Sequence, residues 1–196
     1  MLEMLRQPLE DGIVNVARVQ ASLQYPASFI VVASMNPCVC GYRGDTFREC
    51  TCSPTLVRKY QQRISGPLLD RIDLHVDVRR LAEEELMSYP RSEPSSAIRE
   101  RVCRARAVQQ QRFSGHSLYC NAQMQARDIK EHCRVGEDVR KLLREAIREF
   151  SLSARAYDRI LKVARTIADL AGNESIQAGH AAEAIQYRSL DRKMWV

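Results

Sequence analysis

The sequence predicts an α/β segment followed by an all-α segment. In the first part, residues 13–25 alternate between apolar and polar side chains and Phe29–Ala33 is a continuous apolar run, and both patterns are typical of strands. From residue 97 onward, apolar side chains recur instead at the spacing of amphipathic helices. Residues 81–96 are polar and rich in proline and serine, so we predict a linker there, between a domain at 1–80 and a domain at 97–196.

The composition is that of a folded protein. Of the 196 residues, 45% are apolar and 28% charged, which does not indicate disorder. A formal net charge of +6 is compatible with a polyanionic partner such as DNA or a nucleotide. No apolar stretch approaches the roughly 18 residues that span a bilayer, and the N-terminus lacks the pattern of a secretory signal. We therefore predict a cytoplasmic protein with no membrane partner.

The first elements are a helix and a hairpin. Leucines at positions 2, 5 and 9 have helical spacing, and because no capping residue precedes them we expect the chain to begin inside a helix, as a fragment would. Asp11-Gly12 is a turn signal. The alternation that follows predicts a β-hairpin from Ile13 to Tyr25, with Ala17 and Arg18 near its tip.

The apolar run Phe29–Ala33 predicts a parallel strand that is covered on both faces. In open α/β sheets, ligands bind beyond the carboxyl ends of such strands, and Asn36 lies at this end. Its amide could orient a water molecule or a phosphate oxygen. The residues also fit a simpler interpretation, in which Asn36-Pro37 only begins a turn.

Four cysteines form the pattern C-x-C-x9-C-x-C: Cys38, Cys40, Cys50 and Cys52. Two thiolates from each pair would complete a tetrahedral site that suits Zn²⁺, and such a site is structural because no coordination position stays open. A pair of disulfides, which a reducing compartment disfavours, and free thiols are the alternatives. The three scattered cysteines are predicted to be small buried hydrophobes: Cys103, Cys120 and Cys133.

A basic helix and a strand are predicted next. Pro54–Arg63 has the pattern of a short helix that ends at Ser65-Gly66-Pro67, and Ile72–Val78 alternates as a strand with His75 on its polar face. Arg71 lies just before this strand. It fits a surface ion pair with a neighbouring aspartate, worth at most about 1 kcal/mol. It also fits a guanidinium aimed at a phosphate, for which its planar fork is suited.

The second half predicts a helical bundle. Apolar positions mark helices over 97–113, 124–133, 139–150, 157–171 and 178–187. The arginines of the first of these helices fit either a solvated face or contacts with a DNA backbone. Ser151 or Ser153 can cap the fourth helix ahead of its first apolar position. Arg155 then lies in the first turn of this helix, where a cation opposes the helix dipole. A role in binding a nucleotide phosphate would explain an arginine at that position, although many helices tolerate one there.

Several of these motifs together resemble one known family. The run from LRQPLEDG through MNPCVCG and the second cysteine pair to ISGPLLDRIDLHV closely resembles the magnesium-chelatase-like AAA+ ATPases, in particular their bacterial ComM/YifB branch. The later SARAYDRILKVARTIADLAG resembles the C-terminal domain of that family. The resemblance covers nearly the whole chain. It implies the C-terminal part of an AAA+ α/β core followed by an α-helical lid.

The resemblance also implies roles for individual residues. Asn36 is similar to the sensor 1 amide, Arg71 to an arginine finger that acts on the ATP of a neighbouring subunit, and Arg155 to the sensor 2 arginine of the lid. The hairpin is similar to the pre-sensor 1 hairpin, which points into the central channel in related helicases. Arg18, near its tip, is accordingly a weak candidate for a DNA contact.

Members of the family are ATPases that use ATP and Mg²⁺ and assemble as homo-hexameric rings, and the ComM type promotes branch migration of DNA in natural transformation. This sequence contains no G-x-x-x-x-G-K-[ST] and no Walker B strand. We therefore expect this chain to be a portion of such an ATPase that starts after Walker B and is inactive alone. Two other functions fit the residues: a chelatase-type motor for metal insertion into a tetrapyrrole, and a non-enzymatic, zinc-stabilised DNA-binding or adaptor module.

Overall fold

The structure is a computed structural model that describes residues 2–18, 21–78, 80–81, 83–88 and 92–188, with the side chains of residues 18 and 84 outside this description. The described residues form α-helices and one two-stranded sheet, and they divide into two compact units. One unit contains residues up to 72 together with 78 and 80. The other contains residues 73–77 and those from 81 onward.

The first unit contains three short helices and the sheet. Its helices are α1 (Arg6–Asp11), preceded by a 3₁₀ turn at Leu2–Leu5, then α2 (Pro54–Gln61) and α3 (Gly66–Leu69). Ser53 caps α2 by accepting the N–H of Leu56 at 3.3 Å. Helix α2 has ended before Ser65-Gly66-Pro67, so the predicted break is confirmed, and Ser65 caps the new short helix α3 in the same way.

The predicted hairpin is confirmed. Strands β1 (Ile13–Arg18) and β2 (Ala21–Pro26) pair antiparallel, from Ile13 opposite Pro26 to Arg18 opposite Ala21. Gly12 takes a left-handed conformation (φ 67°) at the end of α1, where it turns the chain into β1. Apolar side chains of both strands remain partly exposed, among them Leu23 at 53% and Tyr25 at 51%.

The predicted parallel strand is wrong for this chain. Residues 27–36 have no regular structure, and Ile30 and Val32 are 91% and 92% exposed. A strand needs neighbours that satisfy its backbone groups, and within the described residues β1 and β2 pair only with each other. The apolar pattern suits a strand, but within the described residues neither strand of the two-stranded sheet pairs with this run.

The predicted strand at residues 72–78 is also absent, and so is its predicted division into an apolar buried face and a polar exposed face. His75 is buried, and its backbone N–H donates to the carbonyl of Tyr187 at 2.7 Å within the second unit. Leu74, Val76 and Val78 are instead exposed. The predicted placement of His75 on the polar face of a strand is therefore wrong.

The second unit is helical. Its helices are α4 (Glu83–Ser88), α5 (Ser95–Arg112), α6 (Ala126–His132), α7 (Glu137–Phe150), α8 (Ala154–Leu170) and α9 (Ala178–Gln186), with a 3₁₀ turn at Asn121–Gln123. All five helices predicted from apolar spacing are confirmed within a few residues at their ends. Ser153 caps α8 by accepting the N–H of Ala156 at 3.1 Å.

Helix α8 lies at the centre of the second unit, where it packs against α5, α6 and α9. One continuous core joins these helices with α7. Burying side chains such as Ile160 and Leu161 stabilises the unit by about 1.5–3 kcal/mol each. The other large core residues are Phe113, Met124, Ile129, Val139, Leu143 and Ile176.

In the part of the chain that the structure describes, no helix has both the length and the apolar character required to cross a bilayer.

Candidate metal centre and nucleotide-contact residues

The four clustered cysteines come together in the first unit. The Sγ atoms of Cys38, Cys40, Cys50 and Cys52 all lie within 4.8 Å of one another. Sγ of Cys38 is 3.3 Å from that of Cys40 and 3.7 Å from that of Cys50, and the last two are 3.5 Å apart. Four thiolates on one Zn²⁺ at about 2.3 Å stand roughly 3.8 Å from each other. The thiols are thus assembled at nearly the required spacing and could hold a metal such as zinc.

All seven cysteines are free thiols, so the structure contains neither of the disulfides that the paired spacing allowed. Cys133 is buried, as predicted for the scattered cysteines, and Cys120 is partly buried. Cys103 is exposed on α5, so the prediction is wrong there. Apolar residues beside it on α5, Ile98 and Val102, are also partly exposed, because the buried face of this helix runs instead through Ala105 and Gln109.

Glycines and a carboxylate shape the loop between the cysteine pairs. Gly41 and Gly44 have positive φ (86° and 82°), a conformation in which a side chain would be strained. Asp45 then accepts the N–H groups of Phe47 at 2.7 Å and Arg48 at 3.0 Å. These bonds, the one from Phe47 foremost, lower the pKa of Asp45 below its usual value. The carboxylate therefore stays ionised and holds the loop in one conformation.

The surroundings of the thiols shift the pKa values of Cys40 and Cys50 in opposite directions. The N–H of Tyr42 donates to the Cys40 sulfur and is the main reason that the pKa of Cys40 falls to about 6. The N–H of Cys52 favours the Cys50 thiolate, but burial together with the thiols of Cys40 and Cys38 outweighs it and raises the pKa of Cys50 to about 11. A cluster that keeps some of its protons in this way exchanges them for a cation when metal binds.

Asn36 lies immediately before the cysteine loop and is exposed. Its side-chain amide lies 4.0 Å from where a Cβ on Gly41 would stand. The following carbonyl, of Pro37, accepts the side-chain amide of Gln61 on α2 at 3.2 Å. Helix α2 therefore holds the residue that follows Asn36, while Asn36 itself is exposed in a segment without regular structure.

Arg71 follows α3, and its side chain is only 8% exposed. Its guanidinium forms an ion pair with Glu10 at the end of α1 and donates to the carbonyl of Pro67 at 2.6 Å. The sequence interpretation named a neighbouring aspartate as partner. Of the two neighbouring aspartates, Asp70 and Asp73, the second pairs with Arg159 of α8 in the second unit.

The other two predicted residues lie apart from these. Arg155 is exposed in the first turn of α8, two residues after the capping Ser153. Arg18 is the last residue of β1, and its side chain lies outside the described atoms. The structure therefore brings together the cysteines and Asn36, while Arg71 has a separate environment and Arg155 belongs to the second unit.

A buried polar cluster in the second unit was missed by the sequence analysis. Asp169 of α8 has a fully buried carboxylate that receives Arg112 at 2.5 and 2.7 Å, Asn121 at 2.8 Å and Nε of Arg165 at 3.1 Å. Arg165 also donates at 2.6 Å to the carbonyls of residues 173 and 174. The available signal was the spacing of Arg165 and Asp169, four apart on an apolar face. The sequence leaves the arginines of α5 open between a solvated face and a DNA contact, and Arg112 does neither of these in the structure, because it pairs with the buried Asp169.

Both units match known sequences. The sequence model described as "Magnesium chelatase, subunit ChlI" matches residues 1–86, and the one described as "Magnesium chelatase, subunit ChlI C-terminal" matches residues 92–188. The chain is 39% identical over 193 residues to "Competence protein ComM" of Haemophilus influenzae, and 36% identical over 193 residues to the YifB proteins of Salmonella typhimurium and Escherichia coli. These alignments cover 97–98% of this chain and 37% of each relative. The chain thus spans little more than a third of the relatives' length.

The two matches follow one another along the chain, and both are to one class of protein, the magnesium-chelatase type. A mostly helical chain with a small two-stranded sheet is consistent with the C-terminal portion of an AAA+-like protein. The chain belongs to the magnesium chelatase subunit ChlI family, and ComM and YifB are among its relatives.

Proposed function

We propose that this chain is the C-terminal part of a homo-hexameric AAA+ ATPase that uses ATP hydrolysis to remodel DNA, in a helicase or branch-migration role during transformation. The observation that carries the proposal is 39% identity, over 98% of the chain, to a protein named as a competence protein. Competence is the uptake of DNA by a cell, so DNA is the substrate that this relationship favours. The net charge of +6 suits such a substrate.

In this proposal three residues contact nucleotide. Asn36 orients the attacking water at the ATP of its own subunit, and Arg155 contacts the phosphates from the second unit. Arg71 acts as an arginine finger on the ATP of the neighbouring subunit. A guanidinium there meets the charge that develops on the transferred phosphoryl group, an effect worth about a thousand- to a hundred-thousand-fold in rate. The ATP, with Mg²⁺, supplies the phosphoryl group and the energy.

In this role Arg71 has to exchange one of its present hydrogen-bond partners for a phosphate oxygen. Its guanidinium is occupied by the Glu10 carboxylate and the Pro67 carbonyl, both of which are oxygen acceptors. A phosphate oxygen is a further acceptor of the same kind, so Arg71 can exchange Glu10 for phosphate without losing its charge-assisted hydrogen bonds. Coupling the finger to subunit contact makes hydrolysis depend on ring assembly.

The cysteine site is proposed to bind Zn²⁺ in a structural role. Its four thiols would fill the coordination sphere of a tetrahedral ion, which would leave no position for a substrate or a reactive water. Arg18, at the end of β1, is proposed as a DNA contact of the hairpin.

The test is the ATPase activity of the native gene product with and without branched DNA. We expect branched DNA to stimulate hydrolysis, and the absence of any response would contradict the proposal. A second function, a motor for metal insertion into a tetrapyrrole, is favoured by the description of the family, which names magnesium chelatase. Stimulation by a tetrapyrrole-handling partner and not by DNA would establish that alternative.

A further inference from the structure

We propose that the cysteine loop, residues 38–52, is a binding site for single-stranded nucleic acid, with Phe47 as the stacking platform for a base. The inference rests on the proposed action on DNA and extends it, because it assigns contact with the strand to a loop whose thiols otherwise have only a structural role. Three features carry it: an exposed ring, a fixed backbone beneath that ring, and cations beside it.

Phe47 is 62% exposed, although its loop also contains a completely buried residue, Cys38. A single exposed aromatic side chain is common and carries no meaning alone. Here, however, the backbone under the ring is held in place. The Asp45 carboxylate accepts the N–H groups of Phe47 and Arg48, and the cysteine pairs close both ends of the loop. A ring on a fixed backbone loses little conformational entropy when a base stacks on it.

Arginines stand beside the aromatic rings of the loop. The guanidinium of Arg80 lies 5.4 Å from the ring centroid of Phe47, and that of Arg48 lies 4.3 Å from the ring of Tyr42 and donates to its hydroxyl at 2.9 Å. Both cations are exposed, so they keep N–H groups for phosphate oxygens. Arg43, which like Arg48 belongs to the loop, is a third exposed cation of this surface.

The acidic residues of the loop do not cancel the positive charge of these arginines. Asp45 is turned inward, with 13% of its side chain exposed, and it is bound by two backbone N–H groups and lies 3.9 Å from Arg80. Glu49 is the exposed carboxylate that remains. Three arginines against these two carboxylates leave the surface cationic.

This combination favours a single strand over other partners. Aromatic rings interleaved with arginines bind single-stranded nucleic acid, because every base has a face to stack and every nucleotide has a phosphate. The bases of a duplex are already stacked on one another and cannot reach a side chain such as Phe47. A contact between subunits is a different outcome, and the experiment distinguishes it.

The experiment measures binding of a fluorescein-labelled oligothymidine of about 20 nucleotides to the native gene product by anisotropy. Phe47→Ala and Phe47→Leu should each weaken binding roughly five- to a hundredfold, because a base stacked on an aromatic ring contributes that much. Phe47→Trp should retain binding. Tyr119→Ala is the matched control, since Tyr119 is an equally exposed aromatic residue (68%) of the second unit, and it should bind as the wild type does.

Arg48→Gln tests the phosphate contact separately. It should lower the slope of log affinity against log salt concentration by about one. An unchanged slope would remove Arg48 from the site.

The remaining outcomes overturn the loop site alone or the proposed function with it. If the wild type binds the oligonucleotide and Phe47→Ala or Phe47→Leu binds equally well, the loop site is wrong and the proposed function stands. If the wild type binds neither this strand nor branched DNA, the proposed function fails with it. If Phe47→Ala changes the oligomeric state in analytical ultracentrifugation while binding per assembled particle is unchanged, the loop is a subunit contact and the inference is overturned.

Discussion

Arg71 forms an ion pair with Glu10, which lies 61 positions earlier in the chain and at the opposite end of the first unit's sequence. The guanidinium is nearly buried, with 8% of its side chain exposed, whereas the carboxylate is 34% exposed. The pair therefore links α1 to the turn after α3. It also keeps a fixed guanidinium next to a carboxylate that a phosphate could replace.

Replacing Arg71 by alanine should abolish most ATP hydrolysis in the assembled native protein. We expect turnover to fall by about a thousandfold or more, as the proposed arginine-finger role implies, while nucleotide binding survives because the proposed finger acts on the ATP of another subunit. Steady-state turnover and nucleotide titration would be compared with those of Arg63→Ala, a matched arginine whose guanidinium lies over the Tyr60 ring. Unchanged turnover in Arg71→Ala, with loss in Arg63→Ala, would make Arg63 the finger.

Replacing Asp169 by asparagine should destabilise the second unit strongly. The change leaves two arginines, Arg112 and Arg165, without the buried carboxylate that both contact, and breaking a buried pair in this way costs about 3–5 kcal/mol. Urea denaturation followed by circular dichroism would measure the difference. The control is Glu100→Gln, whose pair with Arg104 is largely exposed and should contribute under about 0.5 kcal/mol. Equal stability of the two variants would contradict the structural role of Asp169.

Local patterns predicted most of this fold. Helices α7 and α8 were predicted because their apolar residues repeat with the helical period and because Ser153 supplies a cap three residues before Ala156. The hairpin was predicted from alternation alone. The cysteine cluster was also predicted, since two close pairs with glycines between them need only a short loop to meet. In each case the determining residues lie close together in the sequence.

The parts that the sequence did not predict depend on distant partners. The run at residues 29–33 has the composition of a covered strand, but a strand exists only where another strand can bond to it. The burial of His75 depends on Tyr187, and the pairing of Arg71 depends on Glu10. The cluster around Asp169 joins α5, α8 and the turn at Asn121. Periodicity contains no information about these contacts.

The cysteine cluster should contain close to one zinc per chain when the protein is purified without added metal. Cys50→Ser should lose most of that zinc, because the serine hydroxyl is a poor ligand for a site built from thiolates. Cys103→Ser removes an exposed thiol outside the cluster and should retain the metal. Elemental analysis by mass spectrometry gives the ratio directly. A ratio near zero in reduced, folded wild-type protein would refute the metal site.

Cys133 should make the stability of the protein depend on pH in the alkaline range. Its thiol lies in the core of the second unit, and burial raises its pKa from the ordinary 9.0 to about 11, an effect that Arg165 and Arg112 only partly offset. Because the folded pKa is the higher one, the contribution of this thiol is fully present below about pH 9 and is lost as the pH rises towards about 11. The loss is on the order of 2 kcal/mol.

The measurement is the free energy of unfolding between pH 8 and pH 11 for the wild type and for Cys133→Ala. Burial also lowers the pKa of Lys162 and raises that of Tyr187, so only the difference between the two proteins isolates Cys133. The decline should be shallower in Cys133→Ala and unchanged in Cys103→Ala, whose thiol is exposed. Parallel curves for the wild type and Cys133→Ala would mean that the buried thiol ionises as readily as an exposed one.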